Sequence, residues 1–514
     1  MKIKIKTALI SVYDKNNLSE ILSTLKKHQV KIISSGGTYK KIIDLGFNCK
    51  EVSEYTGSPE ILDGRVKTLH PKIHAGILNK NKDKIHKKQM IKLGYENIDL
   101  IIVNFYPFQD ILNSTKAHDK IIENIDIGGP TMVRAAAKNF EYKTVITSAK
   151  QYNSLKDELK LNNGKTSKQF RQKMSKDAFL ETAYYEAVIS NYFNKLSNDK
   201  FPSKKIIFGE KINKLRYGEN PHQEASVYSQ NTFSIKQLSG KKLSYNNYND
   251  MFSAINITKV LPKNLGCVVL KHSNPCGVSI NKNRLGSLKS AINCDPISAF
   301  GGIISCNFKI DRYIAKELNK IFLEIVIGKG FTNDALKILK KKKNLRLIDT
   351  NTLKKSDTNL SVISRSDNLL IQESDDIILD KKNFKVVSKI KPNKNVLNNL
   401  IFAFNVCRFV KSNAIVISKN LSTIGIGSGQ TSRLDSCDIA INKMRKFKLN
   451  DLNDNICAAS DAFFPFTDGV EKLAVAGIKA IIQPSGSIRD KEIIKLANKL
   501  GLILVFSKTR HFNH

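Results

Sequence analysis

A chain of 514 residues is longer than one ordinary core organises and implies two to four domains. Its 41% hydrophobic and 25% charged residues fit a soluble globular protein and exclude a disordered chain, and no run of about 18 apolar residues marks a membrane span. The formal charge of +38 raises the question of nucleic acid. Only 13 of the 84 basic residues are Arg, however, and the Lys are spread over the whole length among Asn and Ile, so the charge reads as a solvated surface with no specific nucleic-acid partner.

The N-terminus, MKIKIKTALISVYDK, alternates Lys and Ile and has no signal-peptide core, so a cytoplasmic protein is expected. Eight cysteines without a CxxC pair read as reduced thiols, mostly buried. From residue 1 to about 150, apolar runs (TALISV, KIISS, LIIVNFY, KTVIT) alternate with helix-length segments such as Asn16 to His28 and Thr38 to Leu45. This pattern predicts an open parallel sheet with crossover helices. A helix is expected over 166–195, and the polar stretch around 194–205 marks the main boundary, giving domains 1–200 and 206–514. Beyond it, GCVVLKH, GGIISC, NAIVISKN, TIGIGSG, IKAIIQPSG and LILVFSK predict a second α/β domain. A Lys- and Asp-rich linker over about 340–395 would separate subdomains 206–340 and 395–514, and the paired occurrence of LKHSNPCG and KSNAIV hints at duplication.

Several motifs carry chemistry. In KIISSGGTYK, Ser35, Gly36, Gly37 and Thr38 lie between strand and helix, where close backbone N–H groups, hydroxyls and the helix N-terminus suit a phosphate; a capped tight turn explains the same letters. DGRVKTLHPKIH packs Arg65, Lys67, Thr68, His70 and His74 into one donor-rich loop suited to an anionic ligand. The four-residue spacing of the two His resembles helical zinc ligands, but Pro71 and the missing Glu argue against metal. NFYPF places Asn104 and Tyr106 at a strand end, and IDIGGPTMVRAAAKN brings Asp126 before a Gly-Gly turn, with Arg134 and Lys138 following. Arg is the rarer basic residue, and its planar fork suits phosphate or carboxylate, so Arg65, Arg134, Arg216, Arg433, Arg489 and Arg510 stand out within Gly-, Pro- or Asn-rich signatures.

SVYDK, SSGGT, DGRVKTLHP, NFYPF and IDIGGPTMVRAAAKN together resemble the inosine monophosphate (IMP) cyclohydrolase domain, whose fold resembles methylglyoxal synthase. Ser11 and Lys15 match that family; Tyr13 stands where it usually has Ser.

In the C-terminal part, LRYGENPHQ carries Arg216 and Tyr217, and LSYNN carries Asn247. VVLKHSNPCG delivers Lys271 and His272 from a strand into a turn, and Lys beside His suits acid–base work because an ammonium favours the neutral imidazole. DPISAFGG, KSNAI with Asn413, IGIGSGQTSR, ASDAFFPF with Asp461 and Phe463, and TRHFNH with Arg510 follow. GIGSG lacks the third Gly of a dinucleotide fingerprint, and His222-Gln223-Glu224 has no P-C-x-x-C partner, so neither NAD nor zinc chemistry is expected.

These segments resemble the aminoimidazole carboxamide ribonucleotide (AICAR) transformylase domain, a duplicated cytidine-deaminase-like α/β fold without catalytic zinc. From about Ala8 to His514 the whole is similar to the bifunctional formyltransferase/cyclohydrolase family of purine biosynthesis. The resemblance implies formyl transfer from 10-formyltetrahydrofolate to AICAR, giving FAICAR, and its closure to IMP. It also implies no catalytic metal and a homodimer. His272 would be the general base, Lys271 its partner, and Asn413 a donor to the formyl oxygen. Arg216, Tyr217, Asn247 and Arg510 would contact nucleotide, with Asp461 and Phe463 holding folate or substrate. In the first domain the Ser35–Thr38 loop and Lys15 would bind phosphate, and Ser11, Thr68 and Asn104 would contact substrate. Arg65 and Lys67 would hold the carboxamide and formyl oxygens, with Lys67 among the catalytic residues, and Tyr106, Asp126 and Lys138 would move protons and stabilise the oxyanion. A zinc deaminase and a basic RNA-associated protein are the competing classes.

Overall fold

The computed structural model describes residues 1–514 except 231–234, 354–358, 381 and 449–454. The chain divides into two compact units, Met1–Gly209 and Glu210–His514.

In the first unit the apolar runs form β1 (Thr7–Val12), β2 (Lys31–Ser34), β3 (Lys50–Glu51), β4 (Leu100–Asn104) and β5 (Thr144–Ile146). All pair in parallel, in the order β3-β2-β1-β4-β5. Crossover helices cover both faces, so β1 and β4 are nearly uninterrupted apolar segments with no polar alternation. Helix α1 (Leu18–Lys27) buries Leu18, Ile21, Leu22 and Leu25, one stripe at helical spacing. Further helices are α2 (Gly36–Asp44), α3 (Pro71–Leu78), α4 (Gly128–Lys138) and α5 (Lys168–Leu196). Strand order reverses between β1 and β4, which opens a crevice at their carboxyl ends.

The second unit is built twice from one plan. The first copy runs β6 (Lys236–Ser239), α6 (Tyr245–Val260), β7 (Gly266–Lys271), β8 (Asn274–Ile280), α7 (Arg284–Cys294), β9 (Gly302–Cys306), α8 (Arg312–Asn319), β10 (Leu323–Gly328), α9 (Asn333–Leu339) and β11 (Arg346–Asp349). The second runs β12 (Phe384–Val386), α10 (Lys394–Cys407), β13 (Ile415–Lys419), β14 (Ser422–Gly427), α11 (Arg433–Lys448), β15 (Cys457–Ser460), α12 (Asp468–Val475), β16 (Ala480–Pro484), α13 (Asp490–Lys499) and β17 (Ile503–Ser507). Registers repeat as well: Cys267 pairs with Cys306 in one copy and Ile415 with Ser460 in the other.

The copies share one 12-stranded sheet, β6-β11-β10-β9-β7-β8-β14-β13-β15-β16-β17-β12. They meet at Ser279 and Ser422, whose hydroxyls lie 2.7 Å apart. The Lys- and Asp-rich stretch expected to be a linker contributes β11 to one copy and β12 to the other, with a hairpin over 360–373 between them. Each short strand pairs with an outer strand of its own copy, which a composition argument does not detect.

Candidate active sites in the two units

A cavity of about 570 Å³ occupies the crevice of the first unit. Five separated segments line it. The end of β1 and its following turn bring Ser11, Tyr13 and Lys15; the start of α2 brings Ser35, Gly37 and Thr38; the loop before α3 brings Arg65, Lys67 and Thr68. The end of β4 adds Asn104 and Tyr106, and the start of α4 adds Asp126 and the Gly128–Gly129 pair.

Local bonds fix these groups. Thr38 Oγ1 accepts from Val12 N–H at 3.0 Å and donates to Val12 C=O at 2.9 Å, tying α2 to β1. Asn104 Oδ1 accepts from Tyr13 N–H at 2.6 Å and Asp14 N–H at 3.0 Å, joining the ends of β4 and β1. The start of α2 has no side-chain cap, leaving first-turn N–H groups available to an anion. Gly36 has φ +54°, and a Cβ there would come within 3.3 Å of Lys67 Nζ. Glycine thus leaves room for the ammonium, which Glu60 pairs at 3.1 Å; Glu123 pairs Arg65.

Asp126 Oδ1 accepts from Gly129 N–H at 2.8 Å, and Asp126 N–H donates to the Tyr185 hydroxyl at 2.8 Å. Burial raises the Asp126 carboxyl above the ordinary range, while the Gly129 N–H and the Lys67 ammonium oppose that rise. Burial also pushes the Tyr185 phenol up to about 12, so it remains a neutral hydroxyl at Asp126.

In the second unit, strand directions collect the motif-bearing segments at one end of the sheet. These are the β7–β8 turn, the entry to β9 at Phe300 and Gly301, the entry to β13 at 411–413, and the exits of β14, β15 and β17. His272 and Ser273 form a two-residue turn between paired Lys271 and Asn274, with φ of 52° and 58°. Neither is Gly, so the turn is held from outside: Ser273 N–H and Oγ–H both donate to Asp250 Oδ1, at 2.7 and 3.1 Å. The His272 ring is exposed at the tip, and Lys271 Nζ donates to Phe300 C=O at 3.0 Å. Lys411 N–H donates to Asn274 Oδ1 at 3.1 Å, linking the two copies here.

Beneath this end lies a buried network. Arg433 donates to Asp461, to Ser460 Oγ at 2.8 Å and to Asn413 Oδ1 at 2.7 Å. Ser412 Oγ donates to the other Asp461 oxygen at 2.5 Å. The C-terminal segment closes over it, with Ser412 N–H donating to Asn513 C=O and His511 N–H to Asp461 C=O. His511 Nδ1 lies 2.6 Å from Asp375 Oδ2.

Comparison with known proteins supplies the family. Residues 17–131 match the model of the MGS-like domain, and residues 136–443 that of the AICARFT/IMPCHase bienzyme. The chain is 46% identical over its whole length to the whole of "Bifunctional purine biosynthesis protein PurH" of Leptospira biflexa serovar Patoc. This chain belongs to the AICARFT/IMPCHase bienzyme family. The protein of that same name from Caldicellulosiruptor saccharolyticus is also 46% identical, covering 99% of this chain and 100% of its own. A solved structure titled "Crystal structure of ForH" matches 37% of this chain and 99% of its own, at 27% identity and a TM-score of 0.34. The protein is thus a bifunctional purine biosynthesis enzyme with formyltransferase and IMP cyclohydrolase activities, an MGS-like first domain, and need of a folate-type formyl donor.

Four of the expected site residues either lie away from the cavity or hold partners within the protein. Lys138 is exposed at the far end of α4, ten residues along the helix from Gly128, and does not line the cavity. Asn247 is buried as the third residue of a capping box: it accepts from Ser244 N–H and donates to Glu324 at 2.8 Å. Asp461 is 0% exposed, and both of its oxygens are engaged, by Arg433 and by Ser412. Asn413 Nδ2 donates to the carbonyls of Gln430 and Thr431, so both amide hydrogens are occupied. Arg216 and Arg510 are exposed, their guanidiniums over Tyr217 and Phe512 at 5.7 and 4.4 Å, and Phe463 is half-buried. Glu60, Glu123 and Tyr185 enter only through the fold, whereas Arg433 already carried a signal in the sequence, as an Arg within a Gly-rich signature.

Among the described residues no three His, Cys, Asp or Glu side chains are grouped to hold a metal ion. His70 Nδ1 instead accepts from Lys72 N–H at 3.1 Å as the cap of α3. The eight cysteines are free thiols, and burial pushes Cys276, Cys437 and Cys457 up to about 12. Among the described residues no helix is long and apolar enough to cross a membrane.

Proposed function

We propose that the second unit transfers the formyl group of 10-formyltetrahydrofolate to the 5-amino group of AICAR, and that the first unit dehydrates and cyclises the resulting FAICAR to IMP. The observation that carries the reading is the first-unit cavity, where phosphate donors, cations and a carboxylate with raised affinity for its proton converge from five segments.

For ring closure, Ser35, Gly37, Thr38, Ser11 and Lys15 bind the phosphate, with the backbone at Gly36 close by. Arg65, Lys67, Thr68 and Asn104 hold the carboxamide and formyl oxygens. The carboxamide nitrogen attacks the formamide carbon, a C–N bond forms and the former formyl oxygen leaves as water. Tyr106 and Asp126 move the protons, and a carboxyl whose pKa is raised by burial suits that exchange. Lys138 joins only if the assembled enzyme brings it to a cavity.

For transfer, His272 takes the proton of the attacking amine and returns it to the departing folate nitrogen, so the formyl carbon exchanges one C–N bond for another. Lys271 stands beside it. Asn413 is the oxygen-stabilising candidate, held by Arg433 and Asp461, and its amide must exchange a main-chain carbonyl for substrate. The exposed Phe300 and Phe322 rings, 5.3 Å apart beside Lys271, offer apolar surface to the planar donor, with Phe463. Arg216, Tyr217 and Arg510 take the nucleotide, and Asn247 supports it by capping α6. The enzyme acts as a cytoplasmic homodimer without catalytic metal or a specific nucleic-acid partner. The test is an absorbance assay with AICAR and 10-formyltetrahydrofolate: tetrahydrofolate and IMP are expected, and absence of both refutes the reading.

A further inference from the structure

Tyr13 has no role in the reactions described so far, yet it occupies the junction between the two strands that open the cavity. Its N–H is held by Asn104 Oδ1 at 2.6 Å and its carbonyl by Lys15 Nζ at 3.2 Å, so the backbone is fixed on both sides of the residue. The ring lines the cavity, is 50% exposed, and meets the ring of Tyr106 edge to face, with centroids 5.5 Å apart and planes at 84°. Tyr106 comes from the end of β4 and is itself 38% exposed. Among the described residues no hydrogen bond to its hydroxyl is found, and Tyr13 is its aromatic neighbour. A ring with so little packing and a free hydroxyl turns readily about its χ angles; the T-shaped contact restricts that freedom.

We propose that Tyr13 is a positioning residue for ring closure, fixing the Tyr106 hydroxyl by edge-to-face packing. The inference rests on Tyr106 being a proton-moving group of that reaction. An aromatic pair of this geometry is worth about a 2- to 10-fold effect. Tyr13→Ala should therefore lower kcat for closure of supplied FAICAR by about that factor while KM changes by less than about twofold. Tyr13→Phe keeps the ring and should restore the wild-type rate. Formyl transfer by the second unit, measured on the same preparations, reports intact protein and should not move.

The deciding measurement is a double-mutant cycle with Tyr106→Phe, which keeps the second ring but removes its hydroxyl. If Tyr13 acts through that hydroxyl, Tyr13→Ala has no further effect on kcat in the Tyr106→Phe background. An equal loss in both backgrounds overturns the proposal, as does a rise in KM with kcat unchanged, which would make Tyr13 a binding surface. If Tyr106→Phe alone leaves ring closure intact, the assigned role of Tyr106 fails and the inference falls with it. If Tyr106→Phe is crippled and Tyr13→Ala is not, only the inference fails.

Discussion

Replacing Arg433 by Met tests whether the buried network organises the transfer end of the second unit. The side chains of Arg433 and Asp461 are 8% and 0% exposed, and Arg433 serves three acceptors: Asp461, Ser460 and Asn413. Arg433→Met leaves the Asp461 carboxylate buried with Ser412 as its remaining side-chain partner. Removing one member of a buried pair typically costs about 3–5 kcal/mol, because the desolvated charge loses its compensation. At about 2 °C per kcal/mol for a large domain, the second-unit transition in calorimetry should fall by roughly 6–10 °C, while the first-unit transition stays in place. Formyl transfer should fall with it, since Asn413 loses the contact that holds its Oδ1, and closure of supplied FAICAR should persist. Removing both charges as Arg433→Met/Asp461→Leu should recover at least half of the lost stability. A shift below about 1 kcal/mol, or a double variant no better than the single, would refute the argument.

His272→Ala should abolish formyl transfer and leave ring closure unchanged, read by assaying both half-reactions on one preparation; loss of both from folded protein would contradict independent sites. Lys67→Ala should reverse that pattern, slowing closure by about 10²–10⁴-fold, and retained closure would remove Lys67 from the mechanism. Asp126→Asn should slow closure yet stabilise the first unit. Burial raises the folded pKa of Asp126, so its contribution is most favourable below the unfolded carboxylate range and is lost as pH rises through the folded value. The stability gain of the Asn variant should accordingly be present at pH 7 and vanish near pH 4, which denaturant melts at both values measure. Exhaustive chelation should alter neither activity; activity lost to chelation and restored by stoichiometric zinc would revive the deaminase class.

Legibility in the sequence followed the range of the interactions. β1, β2, β4, α1 and α5 were readable because an apolar run or stripe is local information, and both-face burial in a parallel sheet writes itself as uninterrupted Val, Ile and Leu. The cavity was readable through its motifs: the residues around Ser35, Lys67, Tyr106 and Asp126 are short signatures, and the strand-order reversal brings them together. What escaped was set by pairing between distant residues. Asp461 looked like a ligand-facing carboxylate, and only its closure by Arg433 and Ser412, 28 and 49 residues away, removes it from the surface. Asn247 looked like a substrate contact, whereas Ser244 and Glu324 make it a helix cap. β11 and β12 went unread because they are short strands in a Lys- and Asp-rich stretch, defined by the strands beside them.

The doubled plan of the second unit also sets which end of its sheet presents an imidazole. The registers put Asn420 where the first copy has His272, Asn307 where the second has Asp461, and Leu265 where it has Asn413. Asn420 and Leu421 keep the same left-handed turn, with φ of 52° and 56°, so the hairpin geometry survives without an imidazole. Asn307 fills its end: Oδ1 accepts from Gly266 N–H at 2.9 Å, and Nδ2 donates to the carbonyls of Thr258, Leu261 and Pro262. An amide in that position closes loops together but does not titrate. The symmetry of the backbone is therefore broken by side chains alone: at one end an amide ties loops together, and at the other an imidazole stands exposed. A single asparagine-to-histidine change at residue 420 would place an imidazole at the other end as well, but Asn307 and Leu265 would still deny it the surroundings that His272 has.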